Sequence, residues 1–175
     1  AYNSIAQIYN DPDPDNRLPD RNYGLSRATL GSNMAIAYDW AYHGWTDDQR
    51  NWVKAKITEA LDIWPTYNHA NLNNPKKASN WVAVCRGGEL IMMLATYQEI
   101  GRNTRYNQLK IDLKTHLYNA YGDLGLSQEG IGYDGYAGIF LLPAIYALRS
   151  VGDFEVEGYF KVINFWKLMM YAGSF

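Results

Sequence analysis

The chain has 175 residues, with 16 Lys and Arg against 18 Asp and Glu and a net charge of -2. This length suits one core, so we expect residues 1–175 to form a single domain or part of one. The basic residues are scattered rather than clustered, which argues against a nucleic-acid partner.

The remaining composition narrows the kinds of site that are possible. Cys85 is the only cysteine and there are three dispersed His, so we expect no intrachain disulfide, no zinc site and no cofactor. The longest apolar stretch, residues 81–97, is interrupted by Arg86 and Glu89, so we expect no membrane span. The N-terminus lacks the features of a signal peptide. With 15 Tyr and 6 Trp, the chain has aromatic rings that suit sugar surfaces as well as cores.

Hydrophobic periodicity predicts an all-α protein. The predicted helices cover residues 25–42, 46–64, 80–100, 104–118, 136–151 and 154–171. The first, third and fifth are apolar on nearly every face, Trp40 included, so each should be buried all round. The other three are amphipathic. Pro143 predicts a kink or a local break in the fifth helix.

Residues typical of turns and helix ends lie between each apolar helix and the amphipathic helix that follows it. Thr46 and Gln49 have the spacing of a capping box at the start of the second helix. Gly44, Gly101 and Gly152 follow the apolar helices, where glycine commonly adopts the left-handed conformation. Their spacings of 57 and 51 residues indicate repeated helical hairpins.

Buried helices that alternate with amphipathic ones predict an incomplete α/α toroid of about three inner and outer hairpins. An α-solenoid is the alternative, although its repeats are usually shorter. The outer-to-inner returns, residues 65–79 and 122–134, are long enough to be functional loops. Both lead to inner-helix N-termini, which favour a carboxylate or sulfate ligand.

Polar residues at these N-termini are the candidates for chemistry. Asn80 is either a helix cap or an amide donor, and Tyr133 lies among glycines that would hold its side chain outward. Glu129 and Asp134 are either an acid and base pair or caps of the fifth helix. His69 is the histidine that we place on this face. His43 at the opposite end, His116 on an outer helix and the buried Cys85 are not expected to be catalytic.

These residues also carry a family resemblance. Residues 34–42 (MAIAYDWAY), residues 45–50 (WTDDQR), Asn80-Trp81 with Gly87-Gly88, and residues 129–133 (EGIGY) occur in this order. Together they resemble the α/α-toroid domain of heparinase II/III-like polysaccharide lyases over about residues 25–150. Several relatives have His where this chain has Trp81 and Asp134.

The resemblance implies β-elimination on an acidic polysaccharide or oligosaccharide, with Asn80 neutralising the uronate carboxylate and Tyr133 acting as general acid and often as base. To act as a base the tyrosine needs a cationic or hydrogen-bonding neighbour, and Arg86 is a candidate for it. The residues expected to bind substrate are Trp81, Arg86, His69, Glu129 and Tyr136. The resemblance further implies a periplasmic or secreted protein. Complete relatives continue into a β-sandwich, so we expect this chain to be a fragment.

Two other functions fit the same residues. The chain could be an α/α-toroid glycoside hydrolase that uses Asp39, Glu129 or Asp134 as acid and base. It could also be a non-catalytic toroid fragment that binds carbohydrate through its aromatic residues or serves as a scaffold. The oligomeric state and the identity of the uronate polymer are not predicted.

Overall fold

A computed structural model describes residues 2–10, 24–63, 74, 76, 79–96, 104–153, 161, 163, 164, 167 and 170. These residues form six α-helices: α1 (Tyr2–Tyr9), α2 (Leu25–Ala41), α3 (Asp47–Ile63), α4 (Asn80–Ala95), α5 (Thr104–Ala120) and α6 (Ile131–Ser150). The described residues of 161–170 are also helical. No named strand occurs in the described part of the chain, so the predicted all-α class is confirmed.

Helix α4 is the centre of the fold. It packs against α2, α5 and α6, while α3 packs on α2 and on α4. Thirteen of its sixteen residues are buried, as predicted for a helix surrounded on all sides. The helix ends at Ala95, where the Thr96 hydroxyl donates to the Met92 carbonyl at 2.9 Å. The predicted end at residue 100 lies outside the described residues, and the described helix is shorter than predicted.

Two adjacent glycines let α4 approach both neighbours closely. A Cβ at Gly87 would lie 3.2 Å from the backbone of Phe140 in α6. A Cβ at Gly88 would lie 2.9 Å from the Cβ of Ala28 in α2 and 3.0 Å from its carbonyl oxygen. The helix tolerates two poor helix formers because any side chain there would push the neighbouring helices away.

Helix α2 is buried on one side only. Met34, Ala35 and Tyr38 are buried, but Trp40 is 85% exposed. The prediction that this helix is buried all round is wrong, because the side that carries Trp40 faces a cleft instead of another helix. Before it, α1 was not predicted. It is held on α3 and the turn before it by edge-to-face contacts of Tyr2 with Trp52 and Trp45.

The turn between α2 and α3 follows the prediction in part. The capping box is confirmed: the Thr46 N–H donates to Gln49 at 3.1 Å and the Gln49 N–H donates to the Thr46 hydroxyl at 3.3 Å. Gly44 instead lies in a 3-10 turn, Tyr42–Gly44, and is not among the described glycines with positive φ. Arg50 donates to the carbonyls of Tyr42 and Trp45, so the helix end is satisfied without a left-handed residue.

Helix α6 begins five residues before the predicted start at Tyr136. Its buried side includes Asp134, Ala137, Leu141 and Leu148, so tertiary packing extends the helix upstream across Gly132 and Gly135. The helix continues through Pro143 without a break. Gly152 after it has φ of 76°, which confirms the predicted left-handed position. Gly101 and the predicted sixth helix lie largely or wholly outside the described residues.

Candidate functional site

The N-terminus of α4 is capped from two sides. Ser79 is the N-cap, since its hydroxyl accepts from the Trp81 N–H at 3.4 Å. The Asn80 N–H donates to the Glu129 carboxylate at 2.5 Å, so a residue forty-nine positions later completes the cap. Asn80 is therefore the first helical residue rather than the cap, and it is 7% exposed.

The return loop before α6 is held by its own hydrogen bonds. Tyr121 and Ser127 form an isolated antiparallel bridge. The Ser127 N–H donates to the Asp134 carboxylate at 3.1 Å, and the Ser127 hydroxyl accepts from the Glu129 N–H at 3.1 Å. Lys161 donates to the Tyr121 carbonyl at 3.1 Å from the C-terminal segment. The loop that carries Glu129 is thus fixed from both ends.

Two tyrosines near the start of α6, Tyr133 and Tyr136, differ in their exposure to solvent. Gly130 has φ of 89°, a conformation that residues with a side chain rarely adopt, and the Asp134 N–H donates to its carbonyl at 3.0 Å. In the next two turns Tyr133 is 59% exposed. Tyr136 is half-buried and its ring meets Phe140 edge to face at 5.7 Å. Tyr133 is available to a ligand, whereas Tyr136 packs on the core.

These segments meet around a closed cleft that has no room for a water molecule. It brings together residues from α4, α5, the return loop and α6: Asn80, His116, Ala120, Tyr121, Ser127, Glu129, Tyr133, Asp134 and Ala137. Asn80 and Tyr133, the predicted catalytic pair, share this cleft, and so does Glu129. Because the cleft encloses no space for a ligand, a ligand could contact only its outer surface, where Tyr133 is exposed.

Sequence reasoning missed two ionisable residues of the cleft lining, His116 and Tyr121. His116 is 2% exposed, and its ring lies 6.0 Å from that of Tyr121 at an interplanar angle of 90°. The expectation that a histidine on an outer helix lies away from the site is wrong for His116. Its spacing was a usable signal, because His116 follows the buried Leu109 and Leu113 at helical intervals of seven and three.

The described ionisable side chains of the cleft are mainly acidic. Partial burial raises the pKa of Glu129; the Asn80 N–H opposes this rise and the nearby Asp134 adds to it. Burial also raises the pKa of Tyr121, and Asp134 and Glu129 add to that effect. Tyr121 therefore stays protonated near neutral pH. Because Glu129 accepts from the α4 N-terminus, that N-terminus already carries a carboxylate.

The other predicted binding residues lie outside the lining of this cleft. Trp81 is half-buried, and His69 lies outside the described residues. Arg86 is buried between α4 and α5, where its guanidinium lies 3.3 Å from Glu89 and 3.3 Å from Asp112. Burial lowers the pKa of Arg86, and Glu89 opposes that shift. The arginine thus joins an ion-pair network within the core.

Other chemistries find little support among the described residues. Cys85 is buried, and burial raises the pKa of its thiol to about 12, which suits an inert core residue. No group of three His, Cys, Asp or Glu that could hold a metal occurs in the described ranges. In the part described, α6 alone is long and apolar enough to cross a membrane, a property that core helices share.

Comparison with known proteins does not assign the chain to a family. Comparisons with protein-family models, with curated proteins and with solved structures each gave no match. The family resemblance therefore rests on the quoted motifs alone, and the function has to be inferred from the cleft.

Proposed function

We propose that this chain is the helical part of a polysaccharide lyase and cleaves uronic-acid glycans by β-elimination. The observation that carries the proposal is the shared cleft of Asn80 and Tyr133, which are far apart in sequence and meet at the N-termini of α4 and α6. The packing of α4 against α2, α5 and α6, with α3 on α2 and on α4, agrees with an arc of an α/α toroid. A periplasmic or secreted location belongs to the same proposal.

Asn80 would neutralise the uronate carboxylate. An amide donor beside a helix N-terminus stabilises negative charge, and loss of the C5 proton requires such stabilisation because it shifts charge onto the carboxylate. Glu129 now accepts from the Asn80 N–H at 2.5 Å, so the position already receives a carboxylate. In the proposed complex the substrate carboxylate binds beside or in place of the Glu129 side chain.

Tyr133 would transfer the protons. The C5 proton leaves to the tyrosine or to a second base, the C4–O bond breaks as the C4–C5 double bond forms, and the phenol protonates the departing glycosidic oxygen. Its exposure of 59% leaves it accessible to a chain lying across the cleft. A tyrosine has an ordinary pKa near 10, so action as a base requires hydrogen bonds that stabilise the phenolate in the complex.

The test is an elimination assay on uronate polymers that follows the ultraviolet absorbance of the unsaturated product. We expect the protein, extended to its natural C-terminus where the gene continues, to produce this absorbance, and we expect Tyr133→Phe and Asn80→Ala each to abolish it. Absence of unsaturated product with every uronate polymer would refute the proposal. Binding without cleavage would favour the non-catalytic carbohydrate module.

A glycoside hydrolase is the second candidate, because Glu129 has a raised pKa and lies near Asp134. A raised pKa suits a general acid. Asp134 is 2% exposed and accepts from Ser127, which disfavours it as the second catalytic carboxylate. Asp39 lines a different cleft. Release of reducing ends without the unsaturated product, abolished by Glu129→Gln, would select the hydrolase.

A further inference from the structure

A second and larger cleft opens at the other end of the same helices. It has a volume of about 790 Å³ and lies between the C-terminal halves of α2 and α6. Its floor is formed by Ile91, Leu94 and Ala95 of α4. Concave sites of this size with a mainly apolar lining are typical of small-molecule binding. The elimination proposed above does not use this cleft.

Large aromatic side chains border the cleft on two walls. Trp40 of α2 is 85% exposed, and Tyr146 of α6 is 62% exposed. Flat rings with one polar atom suit a ligand that is apolar on its faces and polar at its edges. A sugar ring has this character, since its C–H faces contact the aromatic ring and its hydroxyls point outward.

The α2 wall is held in place by contacts of its own. The Tyr42 ring meets Tyr38 edge to face at 5.4 Å and His43 at 5.5 Å. Arg50 lies over the Tyr42 ring at 5.0 Å and donates to the Tyr42 carbonyl at 2.9 Å. A wall that is ordered in advance reduces the entropy that binding must overcome.

The direction of the helix dipoles distinguishes this cleft from the cleft that holds Asn80 and Tyr133, which lies at helix N-termini. Asp39 is its acidic side chain, His43 is titratable, and neither Lys nor Arg occurs among the described lining residues. The C-termini of α2, α4 and α6 approach it, and helix C-termini carry partial negative charge. Arg50 already interacts with Tyr42 and Asp47. A carboxylate ligand would be repelled, whereas sugar hydroxyls could donate to Asp39.

We propose that the cleft formed by α2, α4 and α6 binds a neutral saccharide, with Trp40 and Tyr146 against the sugar faces and Asp39 accepting from hydroxyls. This site lies at the opposite end of α4 from Asn80, because its α4 residues, Ile91 to Ala95, are roughly 17–23 Å away along the helix at about 1.5 Å per residue. It would hold a neutral glycan whether or not the chain cleaves uronates, so the inference does not rest on the proposed lyase activity.

Calorimetric titration tests this site on the full chain carrying Tyr133→Phe, which removes the proposed cleavage. The probes are neutral hexasaccharides of glucose, mannose, xylose and N-acetylglucosamine, with an oligouronate for comparison. We expect saturable binding of a neutral probe. Trp40→Ala and Tyr146→Ala should each weaken it about three- to tenfold, the range for one aromatic contact.

The matched control is Ile139→Ala, because Ile139 is 62% exposed on α6 and does not line the cleft. It should leave the affinity unchanged, and circular dichroism should show all three variants folded. Failure of every neutral probe to bind would overturn the proposal, as would binding of the oligouronate with the same dependence on Trp40. Sedimentation that shows self-association lost in Trp40→Ala would instead assign the cleft to a second copy of this chain.

Failure of the lyase proposal would be recognised separately. The elimination assay uses uronate polymers on the unsubstituted chain and depends on Asn80 and Tyr133. The calorimetric result depends on Trp40 and Tyr146. Either proposal can therefore fail while the other stands.

Discussion

The two ends of the group formed by α2, α4 and α6 differ in what they expose. At the N-terminal end a cleft with no room for a water molecule is closed by hydrogen bonds that Asn80 donates to Glu129 and Ser127 donates to Asp134. At the C-terminal end a cleft of about 790 Å³ is bordered by exposed aromatic rings. The first arrangement suits chemistry, because fixed polar groups stabilise charge without reorganising. The second suits binding, because it offers volume and aromatic faces.

The largest expected effect on the difference between the two clefts is that of a substitution at Tyr133. We expect Tyr133→Phe to lower the rate of elimination by about two to four powers of ten, the usual contribution of a general acid or base. The matched control is Tyr118→Phe, since Tyr118 is 68% exposed and lies outside the lining of the cleft. It should retain the rate in the same absorbance assay. Equal losses in the two variants would remove Tyr133 from the mechanism.

The next largest effect is expected in the core between the two clefts. Glu89 is 1% exposed and receives two hydrogen bonds of 2.6 Å from Arg105 and an ion pair from Arg86. Glu89→Gln would leave the arginines without their shared carboxylate, at a cost of about 3–5 kcal/mol. Urea unfolding measures this loss.

An exposed ion pair serves as its control. Lys56 and Glu59 lie 2.8 Å apart on α3, where the Glu59 side chain is 50% exposed. Glu59→Gln should change stability by less than about 1 kcal/mol. A Glu89→Gln protein as stable as this control would show that the buried network contributes nothing to holding α5 on α4.

A smaller loss of stability is expected where α2 and α4 pack closely, and a shift of these helices should affect both clefts. Gly88→Ala places a Cβ 2.9 Å from Ala28, so α2 and α4 must separate, at a cost of about 1–3 kcal/mol. Gly132→Ala is the control, because no atom lies within 4 Å of a Cβ there and alanine favours the helix by about 1 kcal/mol. Thermal unfolding should move in opposite directions for the two variants. Equal melting temperatures would contradict the close approach.

Sequence patterns predicted the features that depend on local sequence better than those that depend on contacts between distant residues. The Thr46 capping box and the start of α4 at Asn80 followed from local chemistry, and both agree with the structure. The start of α6 did not, because Gly132 and Gly135 favour a loop and only packing of Asp134 and Ala137 overrides them. Helix α1 was missed, since its contacts come from Trp45 and Trp52 far along the chain.

Prediction of the two sites from sequence has the same limit, because local patterns do not show which helices pack together. Asn80, Glu129 and Tyr133 could be assigned to one end of the fold because each precedes or begins a predicted inner helix. Whether an outer helix reaches that end depends on lateral packing, which local patterns do not contain, so His116 was placed elsewhere. Trp40 was taken as core because apolar residues surround it in sequence. Its exposure of 85% depends on which helices adjoin α2.

The smallest expected effect concerns the pH dependence of the N-terminal cleft. Partial burial and Asp134 raise the pKa of Glu129 above its ordinary value of 4.5, against the opposing Asn80 N–H. The folded protein therefore binds the Glu129 proton more tightly than the unfolded chain. The contribution of Glu129 to the free energy of unfolding is most favourable below pH 4.5 and declines as pH rises from 4.5 through the raised pKa.

Glu129→Gln should remove this dependence while leaving a side-chain oxygen to accept from Asn80. The difference in unfolding free energy between wild type and variant should shift in favour of the variant as pH rises through that window. Asp123→Asn is the control, because Asp123 lies in the same loop and its side chain is 92% exposed. An opposite slope would mean that the Asn80 N–H stabilises the Glu129 carboxylate more than burial disfavours it. The α4 N-terminus would then be a stronger carboxylate site than the balance of these contacts indicates, which would strengthen the case for uronate binding there.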